Sequence, residues 1–453
     1  MRRRFFCLPL VCCIAWPVFG PLRPCSAEEP KSRLVLGRDF IELLNDGKFA
    51  QAAERFDKTM TEVMPPEKLG EIWQELQRKS GGYKNIRRVG TERQGEYHVV
   101  LLDVLFASSA ITFRLVFDKE NRIAGLWLAP TTQPGQEKET GYTLPDYEKP
   151  DAYSELDVEV GDDPWKLRGK LTIPAQRMLC PVVVLVHGSG PHDEDETIGP
   201  NKIFRDLAGG LSSSGVAVLR YSKRTHAYRL RLAAQPNITI REEVIDDAVA
   251  AVRLLRGYDG IDKDRIFVLG HSLGGTLAPQ IAAEAGDVAG VILLAGSARD
   301  CCDVVLEQLA YISSIQGPGR KQNLAMYEDA RKKIEGFRAG ELPATEMILG
   351  VPLSYWNELS FAAAESLKFA TELKCPMLIV GGGRDYQVSR KDFDVYREAL
   401  KSKKGVTFQW YEDMSHLMFR GKGKSKPAEY AKPGHVDVEV ITDLANWIKR
   451  RGD

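Results

Sequence analysis

The stretch Arg265-Ile266-Phe267-Val268-Leu269-Gly270-His271-Ser272-Leu273-Gly274-Gly275 begins as a short apolar run and breaks at a glycine. Beyond the break come Thr276, Leu277, Ala278, Ile281, Ala282 and Ala283, small residues at helical spacing. The pattern reads as strand, sharp turn and helix, with a Gly-x-Ser-x-Gly motif at the turn. A serine in such a turn occupies a strained backbone conformation, and Gly270 and Gly274 are needed because side chains there would strike neighbouring elements. The turn exposes the Ser272 hydroxyl at a helix N-terminus, where the Leu273 backbone N–H is free to stabilise an oxyanion. Ser272 is therefore the candidate nucleophile.

Working outward, short apolar runs of strand character recur at residues 182–186, 216–219, 266–269, 291–294, 377–380 and 407–411, with helical segments between them. Val244, Ile245, Ala248, Val249, Val252 and Leu255 share one face of a helix leading into the 266–269 run, as a parallel crossover requires. Alternating strands and helices predict a mainly parallel, doubly wound α/β sheet. Residues 156–160 and 167–173 alternate around Gly161-Asp162-Asp163-Pro164 and predict an antiparallel hairpin. Between about 300 and 371 the pattern is helical with no convincing strand, which predicts a helical cap over the carboxyl edge of the sheet.

A serine nucleophile needs a base, and the base needs an acid to fix its tautomer. In the fold that carries this elbow the chain order is serine, acid, histidine. After the run at 377–380 comes Gly381-Gly382-Gly383-Arg384-Asp385, and after the run at 407–411 comes Glu412-Asp413-Met414-Ser415-His416. Asp385 and His416 thus lie on loops at strand carboxyl ends, in the required order. His435 precedes the terminal helix pattern and reads as a surface loop residue, Asp392 and Asp394 as solvated helix-face charges, and His271 as packing around the elbow. A second oxyanion donor is expected in His187-Gly188-Ser189-Gly190-Pro191, from the backbone N–H of Ser189 or Gly190. Asp193, Glu194, Asp195 and Glu196 follow, with Arg220, Lys223 and Arg224 after the next strand. They read as structural ion pairs ahead of a substrate-orienting group. Four adjacent acids in one loop do not define a coordination shell, so no metal is expected.

Ahead of this region, residues 36–80 have helical periodicity, and 97–106, 111–117 and 123–128 read as strands. A small α+β domain is predicted over 34–129. Residues 130–152, with Pro130, Pro134, Gly135, Gly141, Pro145 and Pro150, read as a linker, and 153–453 as the catalytic domain. Arg2, Arg3 and Arg4 followed by an apolar run over 5–20, with Cys25-Ser26-Ala27 before Glu28, read as a signal peptide over 1–27. Export to the periplasm or medium is the expectation, with no stable membrane span after signal removal. The 62 basic and 62 acidic residues leave no net charge to attract nucleic acid or an anionic membrane. Cleavage after Ala27 leaves Cys180, Cys301, Cys302 and Cys375, whose wide separation fits buried thiols better than a disulfide scaffold.

These motifs together, from His187 to Thr197, over Arg220-Tyr221-Ser222-Lys223-Arg224-Thr225, the elbow at 270–275 and Gly383-Arg384-Asp385-Tyr386-Gln387-Val388, resemble those of exported bacterial α/β-hydrolases related to dienelactone hydrolases, acetyl esterases and prolyl-oligopeptidase-type enzymes. The resemblance runs from the hairpin to the C-terminus. It implies an eight-stranded sheet and the triad Ser272, Asp385 and His416. The segment with Arg420, Lys422, Lys424, Lys426 and Lys432 is unusually basic for such a histidine loop. The N-terminal domain is similar to small α+β domains found ahead of such hydrolases; dimerisation, substrate presentation and lid support are open roles for it, with structural support the default.

The expected function is hydrolysis of a small-molecule carboxylic ester through an acyl-enzyme, with no cofactor. A serine peptidase is the first alternative. It would have to select peptides without a β-propeller, which needs at least about four blades of roughly 40 residues each, because the segment ahead of the linker is too short and shows no repeat. A non-catalytic binding module on a hydrolase scaffold is the second alternative, and the intact Ser272, Asp385 and His416 argue against it.

Overall fold

The computed structural model describes residues 32–94, 97–130, 142–175, 179–228, 232, 238–317 and 319–450. The signal peptide expected over 1–27, residues 131–141 of the expected linker and the terminal Arg451-Gly452-Asp453 lie outside the described residues. The described residues separate into two compact units, one within 32–130 and the other within 142–450.

In the first unit, helices α1 (Ser32–Asn45), α2 (Phe49–Ala53), α3 (Lys58–Val63) and α4 (Pro66–Ser80) precede strands β1 (Tyr83–Gln94), β2 (Tyr97–Phe106), β3 (Ala110–Phe117) and β4 (Ile123–Pro130). The strands form an antiparallel meander in chain order. Its core takes alternate residues from the sheet, Val100, Leu102 and Val104 from β2, and packs them with Phe40, Leu44, Leu69 and Trp73 from the helices. The period of two on the strands and of four on α4 is what one buried sheet face and one buried helix stripe require. The pattern called for three strands and the unit has four. β1 carries Lys84, Arg87, Arg88, Glu92 and Arg93, which obscure alternation, and it pairs only with β2, as an edge strand that tolerates charge.

The second unit is built on an eight-stranded sheet. β5 (Tyr153–Val160) and β6 (Leu167–Pro174) form the expected hairpin, followed by β7 (Cys180–Val186) and a small ribbon of β8 (Thr197–Ile198) and β9 (Asn201–Lys202). Next come α5 (Ile203–Ser213), β10 (Ala217–Tyr221), α6 (Arg224–Ala227), α7 (Asp246–Arg256), β11 (Ile261–His271), α8 (Leu273–Ala285) and β12 (Gly290–Leu294). The cap contains α9 (Cys301–Ser314), α10 (Arg320–Ala339), β13 (Met347–Ile348), β14 (Val351–Pro352) and α11 (Leu353–Glu372). β15 (Met377–Gly382), α12 (Arg390–Leu400), β16 (Val406–Tyr411) and α13 (Val438–Lys449) complete the unit. The strand order is β16-β15-β12-β11-β7-β10-β6-β5, parallel from β16 to β10 and antiparallel through the hairpin.

Both faces of this sheet are covered. Val182, Val184 and Val186 of β7 pack in one core with α7 and α8, while Val183 and Leu185 point into the other with α5 and α13. Continuous burial on both faces explains why these strands are unbroken apolar runs rather than alternating ones. No helix among the described residues is long and apolar enough to cross a membrane. Among the described residues, Cys301, Cys302 and Cys375 are free thiols.

Three expectations need correction. The end of the proposed linker belongs to the second unit: Tyr142 donates to Asp206 at 2.8 Å, and buried Glu148 pairs with Arg205 at 2.7 Å. The cap holds a two-residue antiparallel ribbon, β13 with β14, too short for periodicity to reveal. Its Ile348 and Trp356 pack with Cys302 and Ile334 in a core of the cap's own. Asp392 is not solvated. It is fully buried, pairs with Arg299 at 2.9 Å and accepts from Ser297 Oγ at 2.7 Å and the Ser389 N–H at 3.2 Å, tying the loop after β12 to the start of α12. Asp394, one turn on, is exposed and pairs with Arg390. Asp392→Ala is expected to lower the unfolding free energy by about 3–5 kcal/mol, and Asp394→Ala by about 0.5 kcal/mol or less. Urea denaturation of the two variants compares them, and equal losses would contradict the buried pairing.

Candidate active site

β11 ends at His271, and Ser272 takes φ 54° and ψ −117°, outside the regions that non-glycine residues ordinarily occupy. Such a conformation costs on the order of 1–3 kcal/mol and persists only where its surroundings impose it. The Ser272 N–H donates to the Leu294 carbonyl at the end of β12 at 2.9 Å, and its own carbonyl accepts from the Thr276 N–H at 2.9 Å. A Cβ on Gly270 would overlap the Gly274 carbonyl, and one on Gly274 would overlap the Val186 carbonyl at the end of β7. Leu273 opens α8, so its N–H has no intrahelical partner and faces outward from the helix end.

Asp385 and His416 stand on the loops after β15 and β16. Those loops are laced together: the Gly383 N–H donates to the Tyr411 carbonyl at 2.8 Å and the Arg384 N–H to the Met414 carbonyl at 2.9 Å. One Asp385 oxygen accepts from the Gln387 and Val388 N–H groups at 2.6 and 3.0 Å. The other lies 2.6 Å from His416 Nδ1. With the carboxylate held on both oxygens, the network assigns the proton to Nδ1 and leaves His416 Nε2 as an acceptor. Both side chains are buried.

The loop after β7 approaches the elbow directly. A Cβ at Gly188 would sit 3.1 Å from Ser272 Cβ. The Gly188 N–H donates to Glu196 Oε1 at 2.7 Å, which removes that group from the donors available to a substrate. His192 Nε2 lies 2.8 Å from the Ser189 carbonyl, and Gly190 takes φ 95°, a conformation that favours glycine. Ser189 and Gly190 directly follow the glycine that packs against Ser272.

His271 is more than packing. Its Nδ1 lies 3.0 Å from Glu196 Oε2 and its Nε2 lies 3.0 Å from the His416 carbonyl. Both neighbours are acceptors, so both ring nitrogens are satisfied only when the ring is an imidazolium. Glu196, itself at φ 49°, thereby joins the Gly188 loop to the elbow, and His271 joins the elbow to the histidine loop. Nothing in the local pattern marked this bridge, because its partners are far apart in the chain. Of the other acids of the cluster, Glu194 pairs with Arg168 and Asp195 with Lys202 and Arg220, while Asp193 accepts from the Thr197 N–H and hydroxyl. His435 is half-buried and lies 3.1 Å from Asp206, so it is not a free surface group. Among the described residues, Asp300, Cys301 and Cys302 bring potential metal-ligand atoms within 4.8 Å of one another. The Asp300 carboxylate is already committed, one oxygen to the Cys302 N–H at 2.8 Å and the other to Arg338 at 2.7 Å.

Burial pushes His271 and Glu196 toward their neutral forms, but their mutual attraction and hydrogen bond outweigh it. His271 is held above the ordinary 6.5, and the Glu196 carboxyl falls from 4.5 to about 2. The raised His271 value contributes stability that is complete below pH 6.5 and lost as pH rises through the folded value. The lowered Glu196 value contributes stability that is present above pH 4.5 and lost as pH falls through about 2. The melting-temperature advantage of the wild type over a His271→Gln/Glu196→Gln variant is expected to be greatest between these limits and to shrink in alkali. A pH-independent difference in differential scanning fluorimetry would contradict the ion pair.

Residues 179–423 match the family described as serine aminopeptidase, S33, and residues 38–126 match one described as protein of unknown function (DUF3887). The chain is 37% identical over 409 residues to Esterase EstD of Thermotoga maritima, covering 90% of this chain and 93% of that protein. It is 21% identical over 258 residues to the uncharacterized peptidase YtmA of Bacillus subtilis, covering 55% of this chain and 83% of that one. Among solved structures, Est1E from Butyrivibrio proteoclasticus aligns at 16% identity with a TM-score of 0.42, over 65% of this chain and 99% of that one. The elbow, the ordered loops behind it and the match over most of the chain agree: this protein belongs to the serine aminopeptidase S33 family and has the α/β-hydrolase fold.

Proposed function

We propose that the protein hydrolyses carboxylic esters of small molecules through an acyl-enzyme on Ser272. The observation that carries this reading is the 2.6 Å bond from His416 Nδ1 to Asp385, on loops beside the strained Ser272 turn. His416 Nε2 takes the proton from Ser272 Oγ as the oxygen attacks the acyl carbon, and Asp385 stabilises the imidazolium that results. The negative oxygen of the tetrahedral intermediate is received by the Leu273 N–H and by an N–H of the Ser189–Gly190 segment. His416 then gives its proton to the departing alcohol, and water repeats the sequence in reverse on the acyl-enzyme.

Likeness to Esterase EstD over nine-tenths of the chain supports esters as the substrates. The family description supports a second reading, cleavage of aminoacyl amides by the same groups. The basic, then apolar, first residues support export, and N-terminal sequencing of secreted or periplasmic material is expected to begin at Glu28. A start at Met1 would exclude cleavage.

Ser272→Ala is expected to reduce kcat on p-nitrophenyl esters on the order of 10⁴ to 10⁶ without unfolding the protein. Turnover unchanged by the substitution would remove Ser272 from the mechanism. Wild-type kcat/KM is expected to be higher for simple acyl esters than for aminoacyl anilides, and the opposite order would favour the peptidase reading.

A further inference from the structure

Sequence leaves two residues, Ser189 and Gly190, as sources of the second oxyanion donor. The geometry around Gly188 separates them. Lys223, just past the end of β10, is 2% exposed, and its Nζ donates to the Gly188 carbonyl at 2.7 Å. The same Nζ pairs with Glu243 Oε1 at 2.7 Å. The other Glu243 oxygen accepts from the Tyr355 hydroxyl of α11, in the cap. On its opposite side the Gly188 N–H is held by Glu196 at 2.7 Å. Both backbone polar groups of the residue packed against Ser272 are thus anchored by buried charges.

A trans peptide sets its carbonyl and the following N–H antiparallel. With the Gly188 carbonyl drawn toward Lys223, the Ser189 N–H must point in the opposite direction within the peptide plane, away from Lys223. Among the described residues, the carbonyl of the next peptide, that of Ser189, is held by His192 on the exposed rim of the loop, a looser anchor for the Gly190 N–H. The ammonium also polarises the peptide it touches, which strengthens the N–H as a donor. Stability alone does not account for these groups, since an apolar side chain of similar volume commonly packs in place of a buried ion pair at no loss.

We propose that Lys223, Glu243 and Tyr355 form a positioning relay that aims the Ser189 backbone N–H at the developing oxyanion and ties that donor to cap helix α11. The relay rests on the serine hydrolase reading above. It touches no reacting atom and acts only through the Gly188–Ser189 peptide, so its loss falls on the transition state and leaves ground-state binding intact. Removing Lys223 alone would strand Glu243, and so the decisive variant is the double substitution Lys223→Met/Glu243→Gln.

The experiment measures kcat, KM and melting temperature on a p-nitrophenyl ester, with the inhibition constant of a trifluoromethyl ketone of matching acyl group. Removing an oxyanion donor outright costs about 10²- to 10³-fold in kcat, so misaiming one is expected to cost about 10- to 100-fold in the double variant. KM is expected to stay within about threefold, and the inhibition constant to rise by the same factor by which kcat/KM falls. Tyr355→Phe, which leaves the buried pair intact, is expected to lower kcat by about three- to tenfold. A folded double variant with unchanged kcat, a loss carried by KM, or an inhibition constant that does not follow kcat/KM overturns the relay. If the double variant does not fold, unchanged kcat in Tyr355→Phe overturns it. Failure of the underlying reading is distinct: Ser272 in the wild type would then resist a fluorophosphonate, whereas every folded relay variant is expected to be labelled at Ser272, more slowly.

Discussion

The close approach of Gly270, Gly274 and Gly275 to neighbouring backbone is the constraint on which the catalytic edge depends. Ser272 holds φ 54° because α8 starts almost in contact with the end of β7 and because the Ser272 N–H reaches across to Leu294. A Cβ on Gly275 would press on the carbonyls of Gly270 and Leu294 and on the Gly296 Cα. Three strands therefore converge on one turn: β7, β11 and β12. Their parallel pairing fixes the heights at which they end, so the loops leaving them emerge at one edge. The strain at Ser272 is small beside the burial of these strands, whose residues from 182 to 186 and 266 to 269 are fully enclosed.

The same edge is extended by pairing of β12 with β15 and β15 with β16. The Ala295 N–H donates to the Val380 carbonyl, repeating one strand further along the connection that Ser272 makes to Leu294. Asp385 and His416 then need only short loops to meet. The cap is joined to those loops by Gln308, which donates to the Gln387 carbonyl at 3.0 Å, and by Tyr311, which donates to the Ser425 carbonyl at 2.9 Å. Segments that confer the least regularity on the sequence are thus attached to the most regular part of the sheet.

What could be read from the residues alone follows from this division. Strand identity along the parallel sheet, the elbow, and the order Ser272, Asp385, His416 depend on local runs and on glycine placement. The eight-stranded sheet came only with the family resemblance. β1 escaped because charges on an edge strand mask its period, and the β13–β14 ribbon because two residues have none. The larger gap concerns charge. Asp392, Glu196, Glu243 and Lys223 look like ordinary surface residues in a list of neighbours. Each is buried by a partner at least 20 residues away: Arg299, His271 and the Lys223–Glu243 pair itself. Burial of a charge is a property of the partner and the surrounding packing, which one-dimensional periodicity does not encode.

Those buried charges share a location. Glu196, His271, Lys223 and Glu243 all bond, directly or through one another, to the backbone of Gly188 or His416. An isolated ion in such surroundings would lose several kcal/mol of hydration, and even a matched pair recovers this only when its remaining valences are filled, as they are here by peptide groups and, for Glu243, by the Tyr355 hydroxyl. A peptide dipole held by a full charge reorients far less readily than one held by a neutral neighbour. An oxyanion site requires donors already in place before charge develops, because reorganisation during the reaction would add to the barrier. In the proposed mechanism, the desolvated ion pairs that hold the Gly188 and His416 backbone meet that requirement, on loops outside the regular hydrogen bonding of the sheet.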